Sequence, residues 1–468
     1  METLQLGWAK RLVNPGVLAS AGTYAVLGSL FVLAFAAARA AGEWNVNWQS
    51  GGMRLLIFAA IGGLVVAVLA LITAYRASES DRRNGFWFPI AMSTFATLLC
   101  IGLAEAAIRI VAQPDLLGAR VGATVLQPYD WSVTARSNLD LFEKSLGPDG
   151  YFMADPDLGW TVAPGRTSAD GLYKSSREGL RSREAGAVYA GSSDALVALF
   201  GNSFAFSEEV SFEDSLARHL EVDLGTGVRV LNFGVPGYGV DQALLRFRKD
   251  GTDWKPRVAI LAFIQDDLFR VANIYTFLKV AWGIPLSKPR FVLRDGELVL
   301  LNSPTLSPRQ MFSHDSVFDL PLLDLEIEFF RHRWLTHPLH ASYLLRFLIG
   351  VYPVWPTDNA NPATSEDAIA ALGTEILATF VEEARTAGIA PLVVYLPTST
   401  DYGSSRREVK RWVIDALEGR GIDVADLTDC FGSSAPETGR YMPGGHYSGA
   451  ANAAVSRCLA PLVRERLQ

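Results

Sequence analysis

The chain has 468 residues, of which 49% are hydrophobic and 19% are charged, and its formal net charge at pH 7 is −7. That length accommodates a large domain together with additional elements. The acidic balance, without a basic run after the apolar N-terminal part, argues against nucleic acid as a partner. The mean hydropathy of +0.18 is high for a soluble enzyme, and the apolar excess is concentrated near the N-terminus.

Three long apolar runs occupy this N-terminal part, at about residues 17–38, 55–75 and 86–111. Each is long enough to cross a hydrocarbon core of about 30 Å at about 1.5 Å per helical residue. The sequence therefore predicts a membrane anchor of three transmembrane helices over residues 1–112. No series of acidic or histidine residues inside the runs indicates ion transport, so an anchoring role is the simpler interpretation.

The distribution of cationic residues predicts the orientation of the anchor. Lys10 and Arg11 precede the first run, and Arg76, Arg82 and Arg83 lie between the second and the third, whereas the loop between the first and the second carries only the flanking Arg39 and Arg54. By the positive-inside rule, the N-terminus is cytoplasmic and the chain after about Gln113 lies outside the plasma membrane, in the periplasm or its equivalent. Glu105 and Arg109, four residues apart near the end of the third run, are expected to pair with each other.

The external part begins with an irregular lead-in, residues 113–194, rich in Gly, Asp, Pro and Ser. An apolar strand at 195–200 then breaks into Gly201-Asn202-Ser203-Phe204. A serine at the carboxyl end of a buried parallel strand lies where open α/β sheets place their chemistry. The N–H groups at the start of a following helix would favour negative charge at that point.

The remainder alternates between strands and helices, which indicates an α/β domain over 195–468 with a parallel sheet. A capping-box pattern at 211–214 predicts a helix from there to about 222. The other predicted strands are 228–233, 258–264, 391–396 and 422–427, and the other predicted helices are 241–249, 368–387, 405–419 and 449–466.

An insertion at about 271–366 interrupts this alternation. It contains a hairpin signal at Asp295-Gly296 and aromatic-rich stretches, and we predict a lid beside the active-site edge. Packing of the insertion against the membrane or the sheet is the alternative. Its histidines fit no metal motif, so neither a metal nor a cofactor is expected; they are His314, His332, His337 and His340.

Two of the three cysteines, Cys430 and Cys458, lie in the predicted external domain, and Cys100 lies in the third apolar run. In an oxidising compartment Cys430 and Cys458 would form a disulfide that flanks His446. Two buried free thiols remain the alternative.

Four sequence blocks together resemble the SGNH/GDSL hydrolase family, over roughly residues 155–468. They are Gly201-Asn202-Ser203-Phe204, the glycine-rich 232–239, Gln265-Asp266-Asp267, and Gly444-Gly445-His446-Tyr447-Ser448. The resemblance implies a three-layer α/β/α fold. It also implies that Ser203 is the nucleophile, that His446 is the base, and that the Ser203 and Gly237 N–H groups form part of an oxyanion hole.

The sequence departs from the family pattern at three places. Asn202 stands where the family has Asp, and Asp266 stands where it has an Asn that donates to the oxyanion, with Gln265 as an alternative donor. Neither Pro443 nor Gly444 can provide the acid that orients the histidine.

We therefore expect a Ser203–His446 dyad whose imidazole is held by a backbone carbonyl. Asp426, Asp429 and Glu437 remain as other acids that could orient the ring.

Two functions fit these observations. The first is a membrane-anchored serine esterase or O-acyltransferase that acts outside the plasma membrane on acyl esters, acetyl esters above all, of envelope polysaccharide or lipid. A transferase would require a membrane partner that supplies the acyl donor. The second is a catalytically inactive SGNH-like domain that binds glycan or scaffolds an envelope complex.

Overall fold

The computed structural model describes residues 87–146, 149–191, 194–279, 284–351, 365–402, 408–431 and 439–468. The strands are β1 Gln113–Asp115, β2 Gly118–Val121, β3 Thr124–Val125, β4 Phe152–Asp155, β5 Gly159–Val162, β6 Lys174–Ser175, β7 Arg181–Ser182, β8 Ala195–Gly201, β9 Val228–Asn232, β10 Val258–Phe263, β11 Arg290–Arg294, β12 Glu297–Leu301, β13 Ala390–Tyr395 and β14 Val424–Asp426. The helices are α1 Trp87–Val111, α2 Trp131–Ser145, α3 Ser203–Phe206, α4 Leu216–Leu224, α5 Val240–Arg246, α6 Gln265–Arg270, α7 Pro308–Met311, α8 Tyr343–Val351, α9 Glu366–Thr386, α10 Glu408–Glu418 and α11 Gly449–Leu467.

The chain divides into two compact units, and the smaller one contains α1, the β1–β2–β3 sheet and α8. Glu105 pairs with Arg109 at 2.6 Å, as the sequence predicted. Its carboxylate also accepts the N–H groups of Tyr343 and Leu344, at 2.9 and 2.8 Å. Glu105 thereby satisfies two donors at the first turn of α8 that have no partner within the helix.

Of the three predicted transmembrane runs, the first two lie outside the described residues, and the third coincides with α1. Within the part of the chain that the structure describes, no helix is both long enough and apolar enough to cross a membrane.

The larger unit is built on a five-stranded parallel sheet with the strand order β14-β13-β10-β8-β9. The chain enters the sheet at β8, moves outward to β9, and then returns to the other side of β8 with β10. The direction of winding therefore reverses between β8 and β10. In doubly wound sheets, the crevice at the carboxyl ends of the strands at this reversal is where ligands bind.

Both faces of the sheet are covered, so the strands are apolar on both sides. Val197 and Leu199 of β8 pack into the layer of α4 and α11, whereas Ala198 and Phe200 pack into the opposite layer of α5, α9 and α10. The α/β/α arrangement and the parallel sheet agree with the expectation from the sequence.

Two predictions of local structure were wrong. Ser211 and Asp214 bond to each other at 2.7 Å, but the helix begins only at Leu216, where the hydroxyl of Ser215 accepts the Arg218 N–H. The cap is therefore four residues further along than the pattern suggested. The lead-in also contains α2, which its many polar and small residues concealed.

The insertion contains the predicted hairpin, β11 and β12, in antiparallel register around Asp295-Gly296. Asp295 and Gly296 both have positive φ, at 54° and 85°, as a tight two-residue turn requires. Residues 315–317 and 330–351 of the insertion belong to the smaller unit, and its remaining described residues belong to the larger one.

Cys430 and Cys458 form a disulfide, with their Cα atoms 6.3 Å apart and a sequence separation of 28. The bridge ties the turn after β14 to α11, and the His446 segment lies between the two cysteines.

Replacing both cysteines with Ser should lower the free energy of unfolding by about 3 kcal/mol, because the unfolded chain regains the entropy of an open loop of this length. Chemical denaturation of the oxidised protein and of the double variant measures this difference. Equal midpoints, or two thiols alkylated in the native, non-reduced protein, would contradict the expectation.

Candidate active site

Ser203 lies at the carboxyl end of β8 and begins the short helix α3, with only 5% of its surface exposed. The turn into it depends on Gly201, which has φ of +148°. A Cβ atom at Gly201 would lie 2.3 Å from the carbonyl oxygen of Ala262 on β10. A side chain there would push β8 away from β10, so glycine is required immediately before the serine turn.

Asn202 links the serine turn to the block that follows β10. Its side-chain oxygen accepts the Phe204 N–H at 2.7 Å, and its amide donates to the Asp267 carboxylate at 2.5 Å. Asp267 also accepts the Ile264 N–H at 2.9 Å and pairs with Arg270. Asn202 is therefore a buried donor to a buried carboxylate, which the charged Asp of the family could not be.

Burial raises the pKa of Asp267 to about 6, although the positive charge of Arg270 and the hydrogen bonds from Ile264 and Asn202 act in the opposite direction. The carboxyl is 1% exposed. Its charge depends on these neighbouring donors, because burying an unpaired carboxylate is strongly unfavourable.

The structure corrects the expectation that no carboxylate side chain orients His446. Glu209 Oε2 lies 2.8 Å from His446 Nδ1. The same carboxylate accepts the backbone N–H of Gly444 at 2.7 Å and that of His446 at 3.1 Å. The orienting acid thus follows the nucleophile in sequence, whereas the prediction considered positions before the histidine and near the last strand.

The hydrogen bonds to Glu209 define the state of the histidine ring. Burial would raise the pKa of Glu209, but the donors from Gly444 and His446 outweigh burial and lower it. An ionised carboxylate can only accept, so Nδ1 must carry a proton. In neutral His446 this leaves Nε2 with a lone pair, which is the form that a general base requires.

The acids proposed from the sequence lie elsewhere. Asp426 pairs with Lys410 at 3.2 Å and accepts the Thr428 N–H at 2.9 Å. Asp429 lies in the turn after β14, and Glu437 lies outside the described residues. Within the described ranges, the carboxylates at ion-pair distance from the His446 ring are those of Glu208 and Glu209.

Ser203 and His446 line one cavity of about 920 Å³ at the carboxyl edge of the sheet. Gly237, the predicted oxyanion donor, also lines it. Other lining residues come from the insertion, and they are Asn273, Lys279, Ile284, Ile327, Glu328 and Glu366. The structure therefore gathers the predicted nucleophile, base and backbone donor around a cavity that the insertion helps to enclose.

Asp266 and Gln265 differ in their position relative to this cavity. Asp266 is exposed in the first turn of α6 and lines the cavity. Gln265 is buried, and its Oε1 has no hydrogen-bond partner among the described residues. Gln265 is not among the described residues that line the cavity, so the structure gives no support to it as the alternative oxyanion donor.

Replacing Asp266 with Asn should raise kcat for a small acyl ester several-fold, because an acceptor that repels the oxyanion becomes a donor. Steady-state kinetics on 4-nitrophenyl acetate measure the change, and Asp266→Ala separates loss of charge from gain of a donor. A folded Asn variant that is no faster than wild type would show that Asp266 is not a handicap.

Gly444 provides a second test of the acid–histidine contact. A Cβ atom at this position would lie 2.7 Å from the Glu209 carboxylate, and Gly444 does not have positive φ. Gly444→Ala should therefore displace Glu209 without backbone strain and lower kcat about 10- to 100-fold. In a Glu209→Ala background the same change should have little further effect, since coupled residues are not additive; additive losses would contradict this explanation.

No metal centre is evident in the described part of the chain, since no group of three or more His, Cys, Asp or Glu side chains is placed to hold an ion.

No protein-family profile and no curated protein matches the sequence. One similar solved structure is a lipase/acylhydrolase from Enterococcus faecalis, with 12% identity, coverage of 58% of this chain and 97% of that chain, and a TM-score of 0.31. A GDSL-like lipase from Bacteroides thetaiotaomicron has 12% identity, coverage of 58% of this chain and 88% of that chain, and a TM-score of 0.28. A mutant of an acetyl-xylooligosaccharide esterase from Geobacillus stearmophilus has 13% identity, coverage of 60% of this chain and 96% of that chain, and a TM-score of 0.30. They are acyl hydrolases, as the sequence blocks suggest, but likeness this low adds no argument about function.

Proposed function

We propose that this chain is a serine esterase in which Ser203 attacks the acyl carbon, His446 takes the Ser203 proton, and Glu209 holds the His446 ring. The observation that carries the proposal is the Glu209 carboxylate at 2.8 Å from Nδ1, on a histidine that shares a cavity with a buried serine. A nucleophile, a base and a group that orients the base are the parts that acyl transfer through a covalent intermediate requires.

The reaction would proceed in two stages. As Ser203 Oγ bonds to the acyl carbon, its proton passes to His446 Nε2, and the imidazolium then protonates the leaving alkoxide. The N–H groups of Ser203 and Gly237 would stabilise the intermediate oxyanion. Water, or a sugar hydroxyl in a transferase, would then give its proton to Nε2 as its oxygen bonds to the acyl carbon. The imidazolium would return that proton to Ser203 Oγ as the bond between Ser203 and the acyl group breaks.

The walls of the cavity favour a short acyl ester on a polar substrate. Besides the catalytic groups they include charged and hydroxyl side chains, among them Asp266, Lys279, Glu328 and Thr398, together with apolar side chains that could contact a short acyl group, among them Phe204, Ile284 and Ile327. Such walls suit a hydrated, hydroxyl-rich chain better than a long acyl tail, whose burial needs apolar surface. We infer an O-acetylated polysaccharide rather than a lipid.

We further propose that the enzyme acts outside the plasma membrane, held by apolar segments of the N-terminal part. The support is the lysine and arginine asymmetry of the first 86 residues and the Cys430–Cys458 disulfide, a bond typical of oxidising compartments. A reporter fused after Gln468 that is active only in the cytoplasm would contradict this placement. A transferase version would also need a membrane partner that delivers the acyl donor.

A glycan-binding domain without turnover is the second candidate, and a specific observation favours it. Glu208 Oε2 lies 3.4 Å from His446 Nε2, the nitrogen that the serine proton would have to reach. If that contact were permanent, the polar cavity could bind a glycan but could not cleave its esters.

Hydrolysis of 4-nitrophenyl acetate and of an acetylated oligosaccharide by the full chain in detergent tests the proposal. We expect turnover of both that is lost in Ser203→Ala and in His446→Ala. Binding of the oligosaccharide without Ser203-dependent turnover would favour the glycan-binding alternative.

A further inference from the structure

His446 has a carboxylate at each ring nitrogen. Glu209 lies 2.8 Å from Nδ1, and Glu208 lies 3.4 Å from Nε2. Glu208 also lines the cavity that contains Ser203. The proposed reaction assigns a role to Glu209 but none to Glu208.

The arrangement favours a proton between Glu208 and Nε2. The Nδ1 proton is committed to Glu209, so neutral His446 has only a lone pair at Nε2. An ionised Glu208 would then face that lone pair with a second acceptor. The repulsion disappears if the ring is imidazolium or if Glu208 is a carboxylic acid, and both forms place one proton in the Glu208–Nε2 pair.

We propose that Glu208 is a positioning residue that retains a proton at His446 Nε2 and thereby competes with the Ser203 hydroxyl for that nitrogen. The inference rests on the proposed function, since it explains when the base becomes available. In the free site, Nε2 can accept the serine proton only after the shared proton has left or Glu208 has moved aside.

Glu208 is held at this position by the backbone around it. Ser207 and Glu209 both have positive φ, at 62° and 69°, which non-glycine residues rarely adopt. The buried guanidinium of Arg181 donates to the carbonyl oxygens of Phe206, Ser207 and Val210 on both sides of Glu208. Tyr173 adds a fourth contact, since its hydroxyl accepts the Glu209 N–H at 2.8 Å.

The charges around Glu208 support a retained proton. Burial raises the pKa of Glu208, and the charge of Glu209 raises it further, while the positive charges of His446, Arg270 and Arg181 lower it. The titratable or charged groups that face it are His446 from the segment before α11, Glu209 from its own loop, Arg270 from α6, Arg181 from β7, and Tyr173 from the lead-in. Together these effects raise the pKa of Glu208, so its carboxyl tends to keep a proton, as sharing a proton with His446 requires.

Removing the Glu208 carboxyl, which shares a proton with Nε2, should extend activity to lower pH. Without a carboxylate at Nε2, the imidazolium loses one favourable neighbour, so the neutral base persists at lower pH. We expect the acid limb of kcat/KM for 4-nitrophenyl acetate to move down by about one pH unit in Glu208→Gln and Glu208→Ala. Glu208→Asp retains the charge and should keep the limb near its wild-type position.

A second readout does not depend on turnover. In full-length protein with ¹³C-labelled histidine, the His446 ring resonance, identified by its loss in His446→Asn, should titrate about one pH unit lower in Glu208→Gln than in wild type. If wild type has no esterase activity but this shift occurs, the proposed function fails and the role of Glu208 stands. An unmoved ring titration overturns the proposal, as does loss of activity at every pH with an unmoved acid limb.

Discussion

Replacing Glu209 with Gln is expected to lower kcat for ester hydrolysis by about 10²- to 10⁴-fold and to change KM little. The Gln amide can donate to Nδ1, which would place the ring proton on Nε2 and remove the base from the serine. The variant also loses the negative charge that stabilises the imidazolium during the reaction. Steady-state kinetics on 4-nitrophenyl acetate, with circular dichroism to verify folding, measure the effect.

Glu213→Gln is the matched control, because Glu213 is an exposed carboxylate on the same loop that pairs with Arg183 at the surface. It should retain wild-type kinetics.

The pKa of Glu209 is lowered from its ordinary value of 4.5, so its contact with His446 is present above that value and is lost as the pH falls through the lowered pKa. If kcat is equal for Glu209→Gln and wild type, Glu209 does not assist His446, and the Ser203–His446 dyad expected from the sequence is the better description.

Changing Asn202 to the Asp of the family pattern is expected to destabilise the fold by about 3 kcal/mol at about pH 8. The new carboxylate would face Asp267 at the 2.5 Å contact that the Asn202 amide now makes. Both positions are buried, so water cannot screen the repulsion, and one of the two carboxyls must take up a proton for the chain to fold.

The penalty should depend on pH in a direction set by Asp267. Its folded pKa, about 6, lies above its ordinary value of 3.8. The stability associated with the protonated form is therefore present below about 3.8 and is lost as the pH rises through 6, and a second carboxyl extends this loss to higher pH. Urea denaturation at about pH 5 and about pH 8 should show a much smaller penalty at the lower pH.

The exchanged pair Asn202→Asp with Asp267→Asn is the control, because it restores one carboxylate and one amide at the same contact. Much of the lost stability should return, although Arg270 loses its ion pair with the residue 267 carboxylate. If the single Asn202→Asp variant is as stable as wild type at about pH 8, the two carboxyls do not repel each other measurably in the folded protein, and the explanation is wrong.

The strands of the sheet could be predicted from the sequence because they are short apolar runs that end at turn residues. The runs around Phe200 and Ile260 are buried on both faces, and such strands need no alternating pattern. The strand order, with β8 between β9 and β10, depends on crossovers that no local pattern specifies, and it decides which carboxyl ends meet. The structure of residues 113–194 was harder to predict, because a surface helix such as α2 has only a modest apolar face.

The sequence could single out Ser203 and His446, the proposed nucleophile and base, because each belongs to a local block: Ser203 follows a strand and His446 precedes a helix. Glu209 was missed because its role depends on a loop with positive φ at two non-glycine residues and on the buried Arg181 that holds the loop. The available signal was the adjacent pair Glu208-Glu209, five and six residues after the serine in a stretch that otherwise lacks charge. Without the fold, such a pair looks like an exposed acidic turn.

The departures from the family pattern become intelligible once these contacts are known. Asn202 replaces an acid at a place where Asp267 already provides a buried carboxylate, so the amide is the partner that the site needs. The acid absent before His446 is replaced by Glu209, and Gly444 leaves room for its carboxylate. These contacts are the ones that the proposed esterase needs, and they support it over the inactive domain.

Covalent labelling of Ser203 tests the central claim most directly. The full chain in detergent is treated with a fluorescent alkyl phosphonate, and the modified peptide is identified by mass spectrometry in wild type, Ser203→Ala and Glu209→Gln. We predict a single adduct on Ser203, absent from Ser203→Ala and formed at least tenfold more slowly in Glu209→Gln, because the serine needs an oriented base to become nucleophilic. No adduct in folded wild-type protein, or an adduct that persists in Ser203→Ala, would contradict the account.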